Sequence, residues 1–192
     1  SGSSCVTIPV DNASCVSITS PDTVVTGTSF SSTVTVKNTG NTTWDQVAPY
    51  GLLVSPWGQS TWGGTVWNGL PSSTIAPNAN APFTFTSVAP STPGTYAFSW
   101  QMLHDGVAWF GAVCTKNITV IAPSLPTVTT NSVTNISQTT ATSGGNVTSN
   151  GNATVTVSGI AWNKTGNPTT GDSKTTDGWA IGGPWSSNMT GL

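Results

Sequence analysis

Charge is what this sequence has least of. It contains no arginine and no glutamate, and four lysines with six aspartates make up 5% of its 192 residues, for a net charge of −2. An ordinary globular chain carries roughly 25% charged residues. Without a basic patch there is no electrostatic footprint for nucleic acid or anionic lipid, so both are excluded as partners. No apolar run approaches the ~20 residues of a membrane-spanning helix. The start, Ser1-Gly-Ser-Ser-Cys5, has neither the basic region nor the apolar core of a secretory signal. This fits a removed signal and a piece of a longer chain. With three cysteines and one histidine, and no C-x-x-C pair, a Cys/His zinc centre is not expected. Cys5, Cys15 and Cys114 allow one internal disulfide at most and leave one thiol over.

Apolar residues nonetheless reach 35%, with nine tryptophans, enough to build cores and to argue against disorder. Their pattern is that of strands. Phe30, Val34 and Val36 share one parity with the small Ser32 between them, and Tyr96, Phe98, Trp100 and Met102 alternate with Thr95, Ala97, Ser99 and Gln101. Period two marks a strand with one buried face. Further strands are expected at Ala13 to Thr19, Gly51 to Ser55, Pro82 to Val88 (Phe83 and Phe85 inward) and Val107 to Val120 (Ile118 and Val120 inward). Asn38 to Asn41 and His104-Asp-Gly106 supply turns. About seven strands within about 110 residues, with no helical period, predict an immunoglobulin-like sandwich.

The chain is therefore expected to be all-β, with two tandem immunoglobulin-like or fibronectin III-like β-sandwiches. Residues 1–12 read as an irregular lead-in, 13–121 as the first sandwich, 122–126 as a proline-containing linker and 127–192 as a partial second β domain. In the second, Val128 to Val133, Thr139 to Val147, Ala153 to Trp162 and Pro184 to Leu192 read as strand-like, too few for a closed sandwich.

Residues 13–121 resemble the four-tryptophan immunoglobulin-like domain found in bacterial surface proteins and in a family of autophagy receptors. The resemblance rests on Val34-Thr-Val-Lys-Asn-Thr-Gly-Asn-Thr-Thr-Trp44, Thr61-Trp-Gly63, Ala89-Pro-Ser-Thr-Pro-Gly-Thr-Tyr-Ala-Phe-Ser-Trp100 and Trp109-Phe-Gly111, in that order. It implies that Trp44, Trp62, Trp100 and Trp109 are the defining tryptophans. It also implies a Cys15–Cys114 disulfide, with Cys5 free or inter-chain. The second unit resembles a fibronectin type III-like repeat of bacterial surface proteins, through Pro126-Thr-Val-Thr-Thr130, Thr139-Thr-Ala-Thr-Ser-Gly-Gly-Asn-Val147, Gly159-Ile-Ala-Trp162 and Asn188-Met-Thr-Gly-Leu192. Those repeats continue with two more strands, so this unit is expected to be incomplete, either truncated or completed by another chain.

Trp44, Trp62, Trp100, Trp109 and Trp162 are read as structural. Trp57, Trp67, Trp179 and Trp185 stand in Gly/Pro-rich turns and are the candidate interface or glycan-contact aromatics. Asn-x-Ser/Thr sequons occur at Asn12, Asn41, Asn117, Asn135, Asn146, Asn152, Asn163 and Asn188; Asn117, Asn41 and Asn146 are the candidate glycosylation sites, Asn117 having outward parity. No catalytic set emerges. His104 neighbours Asp105 in a turn where side chains diverge, no G-x-S-x-G turn exists, and all six aspartates occupy turn or lead-in positions. No calcium loop is present, Asp172 and Asp177 being the closest approach to one. Lys37 beside Asn38 suggests a Lys–Asn crosslink, which the absence of glutamate and the outward parity of Lys37 oppose. Neither cofactor nor metal is expected.

The functional expectation is a non-enzymatic structural or adhesive module of a secreted bacterial cell-surface protein, self-associating into a filament or sheath. The alternative is a carbohydrate-binding accessory module of a larger secreted enzyme, with surface glycans as partners.

Overall fold

A computed structural model describes residues 8–55, 61–178 and 184–192; Cys5, Trp57 and Trp179 lie outside the described residues. The chain divides into two compact units, Ser1–Ala122 and Pro123–Leu192. All regular elements among the described residues are strands, so no helix among them is long and apolar enough to cross a membrane.

The first unit carries β1 (Ala13–Thr19), β2 (Thr23–Val25), β3 (Ser29–Asn38), β4 (Trp44–Asp45), β5 (Tyr50–Val54), β6 (Gly63–Gly64), β7 (Trp67–Gly69), β8 (Thr74–Ile75), β9 (Asn80–Val88), β10 (Gly94–His104) and β11 (Ala108–Ile121). They form a four-stranded sheet ordered β1-β3-β9-β6 and a five-stranded sheet ordered β2-β11-β10-β5-β7, with a small β4-β8 pair. The alternation expected from the sequence is met: β3 buries Phe30, Ser32, Val34, Val36 and Asn38, and β9 buries Ala81, Phe83, Phe85 and Ser87. Facing them, β10 and β11 contribute Phe98, Trp100, Met102, Cys114, Ile118 and Val120 to one common core. Each inward face is apolar, so stacking the two sheets removes both from water, which drives the sandwich together.

Local chemistry fixes the ends of these strands. Asn38 is fully buried; its Nδ2 donates to the Thr42 carbonyl at 2.8 Å and the Ile75 carbonyl at 3.1 Å, and its Oδ1 accepts from Gly40 N at 3.0 Å. One side chain thus ties the turn after β3 to the end of β8. Tyr96 Oη donates to the Thr92 carbonyl at 2.9 Å, the kind of corner bond common in immunoglobulin-like sandwiches. Gly111 has φ 72° and a Cβ there would lie 2.5 Å from that of Ala13. The resulting bulge shifts the β10–β11 register after Trp100, and Gln101 Nε2 satisfies the Gly111 carbonyl at 3.0 Å. Beside it, Cys15 of β1 and Cys114 of β11 form a disulfide, Cα atoms 5.2 Å apart, that joins the two sheets.

The second unit has β12 (Thr127–Thr130), β13 (Thr140–Ser149), β14 (Ala161–Trp162), β15 (Ser173–Lys174) and β16 (Pro184–Thr190). Strands β12, β13 and β16 form one antiparallel sheet in that order, and β14 pairs with β15. Two strand expectations are corrected here. Of Ala153 to Trp162 only Ala161–Trp162 is paired, and the first strand stops at Thr130 rather than Val133. Val155 and Val157 alternate as in a strand, but among the described residues no strand pairs with them.

Candidate functional site

The tryptophans divide by environment. Trp44, Trp62 and Trp100 are buried in the core of the first unit. Trp44 packs against Tyr50 and Phe110, Trp62 against Phe30, Tyr96 and Phe98, and Trp100 against Phe85 and Phe98. Trp62 Nε1 also donates to the Ala97 carbonyl at 2.9 Å. Trp109 stands elsewhere: it is 37% exposed on the outer face of the five-stranded sheet. Its neighbour Phe110 points inward, so strand alternation sends Trp109 out. Trp162 is half-buried on β14.

Trp67 is no turn residue. It sits on β7 opposite Leu53, and its indole reaches diagonally over Gly51: a Cβ at Gly51 would lie 2.7 Å from Trp67 Cζ2. Trp185 repeats the device in the second unit, where a Cβ at Gly145, its register partner, would meet Trp185 Cη2 at 2.5 Å. In both places a glycine leaves the hole that a neighbouring indole fills.

The outer face of the five-stranded sheet therefore carries a groove of about 300 Å³ lined by Leu53, Trp67, Leu103, Asp105 and Trp109. The register explains it. Gly51 on β5 pairs with Leu103 on β10, and Leu103 pairs with Trp109 on β11. Leu53 is buried on this outer face, opposite in parity to the core residues Leu52 and Val54.

The second unit holds a larger groove, about 410 Å³, whose lining includes Val128, Val147, Val155, Val157, Ile160 and Trp185. All four residues of β12 are exposed, Val128 at 57%. Neither β12 nor β16 has a partner on its outer edge among the described residues, and neither carries a charged side chain.

His104 does not engage Asp105. Its Nδ1 lies 2.7 Å from Asp11 Oδ2, while Tyr50 Oη donates to Asp11 Oδ1 at 2.9 Å and Thr42 Oγ1 donates to the same oxygen. Tyr50 and His104 stack at 4.1 Å between ring centroids. Burial alone would raise the Asp11 pKa, but the bonds from Thr42, His104 and Tyr50, with the His104 charge, together hold it below the usual carboxylate range. Burial, then the bond to Asp11 and its charge, push the Tyr50 phenol up to about 12. The hydroxyls bond the carboxylate rather than the imidazole, so the cluster fastens the lead-in to the sheet and presents no activated nucleophile. Sequence reasoning missed Asp11, because an irregular segment carries no period to place it.

The remaining candidates are dispersed. Asp172 accepts from the backbone N and hydroxyl of Thr169, and these bonds lower its pKa. Asp177 accepts from Thr175 and Ser187. No cluster of three His, Cys or Asp able to hold a metal exists among the described residues. Lys37 is half-buried on β3. Of the candidate glycosylation sites, Asn117 is exposed on β11. Asn41 has its amide engaged with Ile8 O at 2.8 Å and Val10 N at 2.7 Å, and Asn146 buries an unpaired Oδ1.

No curated protein sequence matches the chain. Among solved structures it is similar to the CARDB domain of PF1109 from Pyrococcus furiosus. The solution structure of that domain gives a TM-score of 0.41 at 18% identity, over 60% of this chain and 98% of that one. A crystal structure of the same domain, in complex with di-metal ions, gives 0.39 at 20% identity, over 59% and 89%. Residues 17–120, just over half of the chain, match the Ig-like domain from next to BRCA1 gene, and the chain belongs to that family of immunoglobulin-like domains.

Proposed function

We propose that the chain is a non-enzymatic structural and adhesive module of a secreted bacterial cell-surface protein, joined to further copies of itself through its second unit. The observation that carries this reading is the three-stranded sheet of that unit, with two uncharged outer edges beside an apolar groove. Natural sheet edges are usually blocked by lysine, proline or a covering segment, because an unpaired strand accepts another. Here β12 reads Thr-Val-Thr-Thr and is exposed throughout. Pairing β12 of one copy with β16 of the next would extend the sheet head to tail, a heterologous contact that repeats into a filament. The disulfide supports an oxidising compartment.

Sedimentation of the full chain across a concentration series, with electron microscopy of the concentrated sample, tests the proposal. Filaments or growing oligomers are expected, and Val128→Lys, at an already exposed position, abolishes them without unfolding the chain. A monomer at every concentration overturns self-association. A monomer retained on insoluble polysaccharide, with retention lost in Trp67→Ala or Trp185→Ala, replaces it by the carbohydrate-binding accessory module.

A further inference from the structure

The chain contains two Asn-Gly dipeptides, Asn68-Gly69 and Asn150-Gly151. Their surroundings differ. Asn68 lies on β7, paired with Leu52 of β5, and its Nδ2 donates to the Leu52 carbonyl at 3.4 Å. Asn150 opens a turn after β13, closed by Ala153 N donating to the Asn150 carbonyl at 3.2 Å. Gly151 and Asn152 form its centre at φ 64° and 63°, the pattern of a type I′ turn. Asn150 Oδ1 accepts from Asn152 N at 3.1 Å, which folds the carboxamide back over the turn. Gly151 lies outside β13, and its N–H donates to Ser149 Oγ at 3.2 Å rather than to a neighbouring strand.

We infer that Asn150 is a site of self-modification, at which the Gly151 nitrogen attacks Asn150 Cγ and the side chain becomes aspartate or isoaspartate. The nitrogen gives up its proton, a new N–Cγ bond closes a succinimide ring, and the Cγ–Nδ2 bond breaks to release ammonia. Water then opens the ring. Addition at Cγ leaves aspartate in a normal backbone; addition at the Asn150 backbone carbonyl leaves isoaspartate, with the chain running through Cγ. The local bonds favour the closure. The Asn152 N–H polarises the carbonyl under attack, as an oxyanion donor does, and Ser149 Oγ sits on the proton that must leave. Glycine has no side chain to crowd the attacking nitrogen, and Asn150 is only half-buried, so water reaches its carboxamide.

The product bears on the segment that leads into β12. Ser124 N donates to the Gly151 carbonyl at 2.7 Å, and a Cβ on Gly151 would run into the Ser124 carbonyl. The turn therefore clasps Ser124. Isoaspartate lengthens the backbone ahead of Gly151 and pulls that clasp apart, which ties the age of the chain to the hold on β12.

The inference is independent of the assembly proposed above. The full chain is incubated at mildly alkaline pH in heavy-oxygen water, and the peptides carrying Asn150 and Asn68 are followed by mass spectrometry. Asn150 is expected to convert first and to retain heavy oxygen, part of the product being isoaspartate that an isoaspartyl methyltransferase labels. Asn68 reacts only when β7 parts from β5, so it should convert at least about tenfold more slowly. Asn150→Gln, whose side chain must close a larger ring, should suppress conversion at that position and leave Asn68 as before. In the isoaspartate form the Ser124 amide should lose hydrogen-exchange protection. Freshly prepared Asn150→Asp, which installs the other product and keeps the side-chain bond across the turn, should retain it. An unconverted Asn150, conversion of Asn68 at an equal rate, or full Ser124 protection in the isoaspartate form each overturns the inference.

Discussion

His104 Nδ1 lies 2.7 Å from Asp11 Oδ2, joining the end of β10 to the segment ahead of β1. This bond, with those from Tyr50 and Thr42, gives the first unit a definite pH profile. The folded pKa of Asp11 is depressed, so its contribution is present above the ordinary value of 3.8 and is lost as pH falls through the folded value. The folded pKa of Tyr50 is raised, so its contribution is complete below 10 and is lost as pH rises towards 12. That displacement corresponds to roughly 2–3 kcal/mol. Urea midpoints measured from pH 2 to 12 should therefore decline at both ends. Tyr50→Phe should remove the alkaline decline and Asp11→Asn should flatten the acid one. An alkaline limb unchanged in Tyr50→Phe would assign it to another group.

The disulfide closes a loop spanning 99 residues in sequence between the two sheets. On the chain-entropy account such a link stabilises by roughly 4–5 kcal/mol. Replacing both cysteines by alanine should lower the unfolding free energy of the first unit by about that much, read by urea denaturation. Serine is the wrong probe, because Cys114 is fully buried and a hydroxyl there would have to find a partner. A change below about 1 kcal/mol would show that packing of β1 against β11 holds the sheets without it.

Asn38 makes three side-chain hydrogen bonds inside the protein. Asn38→Ala leaves the buried Ile75 carbonyl without its side-chain donor and the part-buried Thr42 carbonyl without its own, a cost of about 1–3 kcal/mol. The same change loosens the loops either side of Trp44, so emission from the folded protein should shift to the red. A destabilised variant with unshifted emission would separate the two effects.

How much of this was legible in the sequence depends on whether a residue belongs to a long strand. Phe30, Val34 and Val36, or Phe83 and Phe85, announce their inward face because nine or more residues share one period. Trp109 was masked by the opposite kind of signal. Its motif marked it as scaffold without saying on which face, and alternation with the buried Phe110 places it on the outer one. Trp67 was unreadable as a strand residue because β7 has three residues, too short to show a period. The Asp11 cluster joins residues 93 apart in sequence, and such pairings leave no local trace. In the second unit Val155 and Val157 alternate as a strand would, but alternation supplies no partner.

Gly51 and Gly145 each lie under an indole, yet substituting them should not cost the same. At Gly51 the nearest atoms to an added Cβ all belong to the Trp67 ring, which can swing outward. Gly51→Ala should therefore cost about 1–2 kcal/mol, expose Trp67 and deform the groove beside Leu103. At Gly145 the added Cβ meets the Thr129 backbone carbonyl at 2.5 Å as well as the Trp185 ring. The backbone can yield only by parting β12 from β13, so Gly145→Ala should cost more, about 3 kcal/mol, and unfold the second unit first. Hydrogen exchange of the β12 amides that face β13 reads this directly: they should lose protection in Gly145→Ala and keep it in Gly51→Ala. The reverse order would mean that Trp185, rather than the strand pairing, carries the strain.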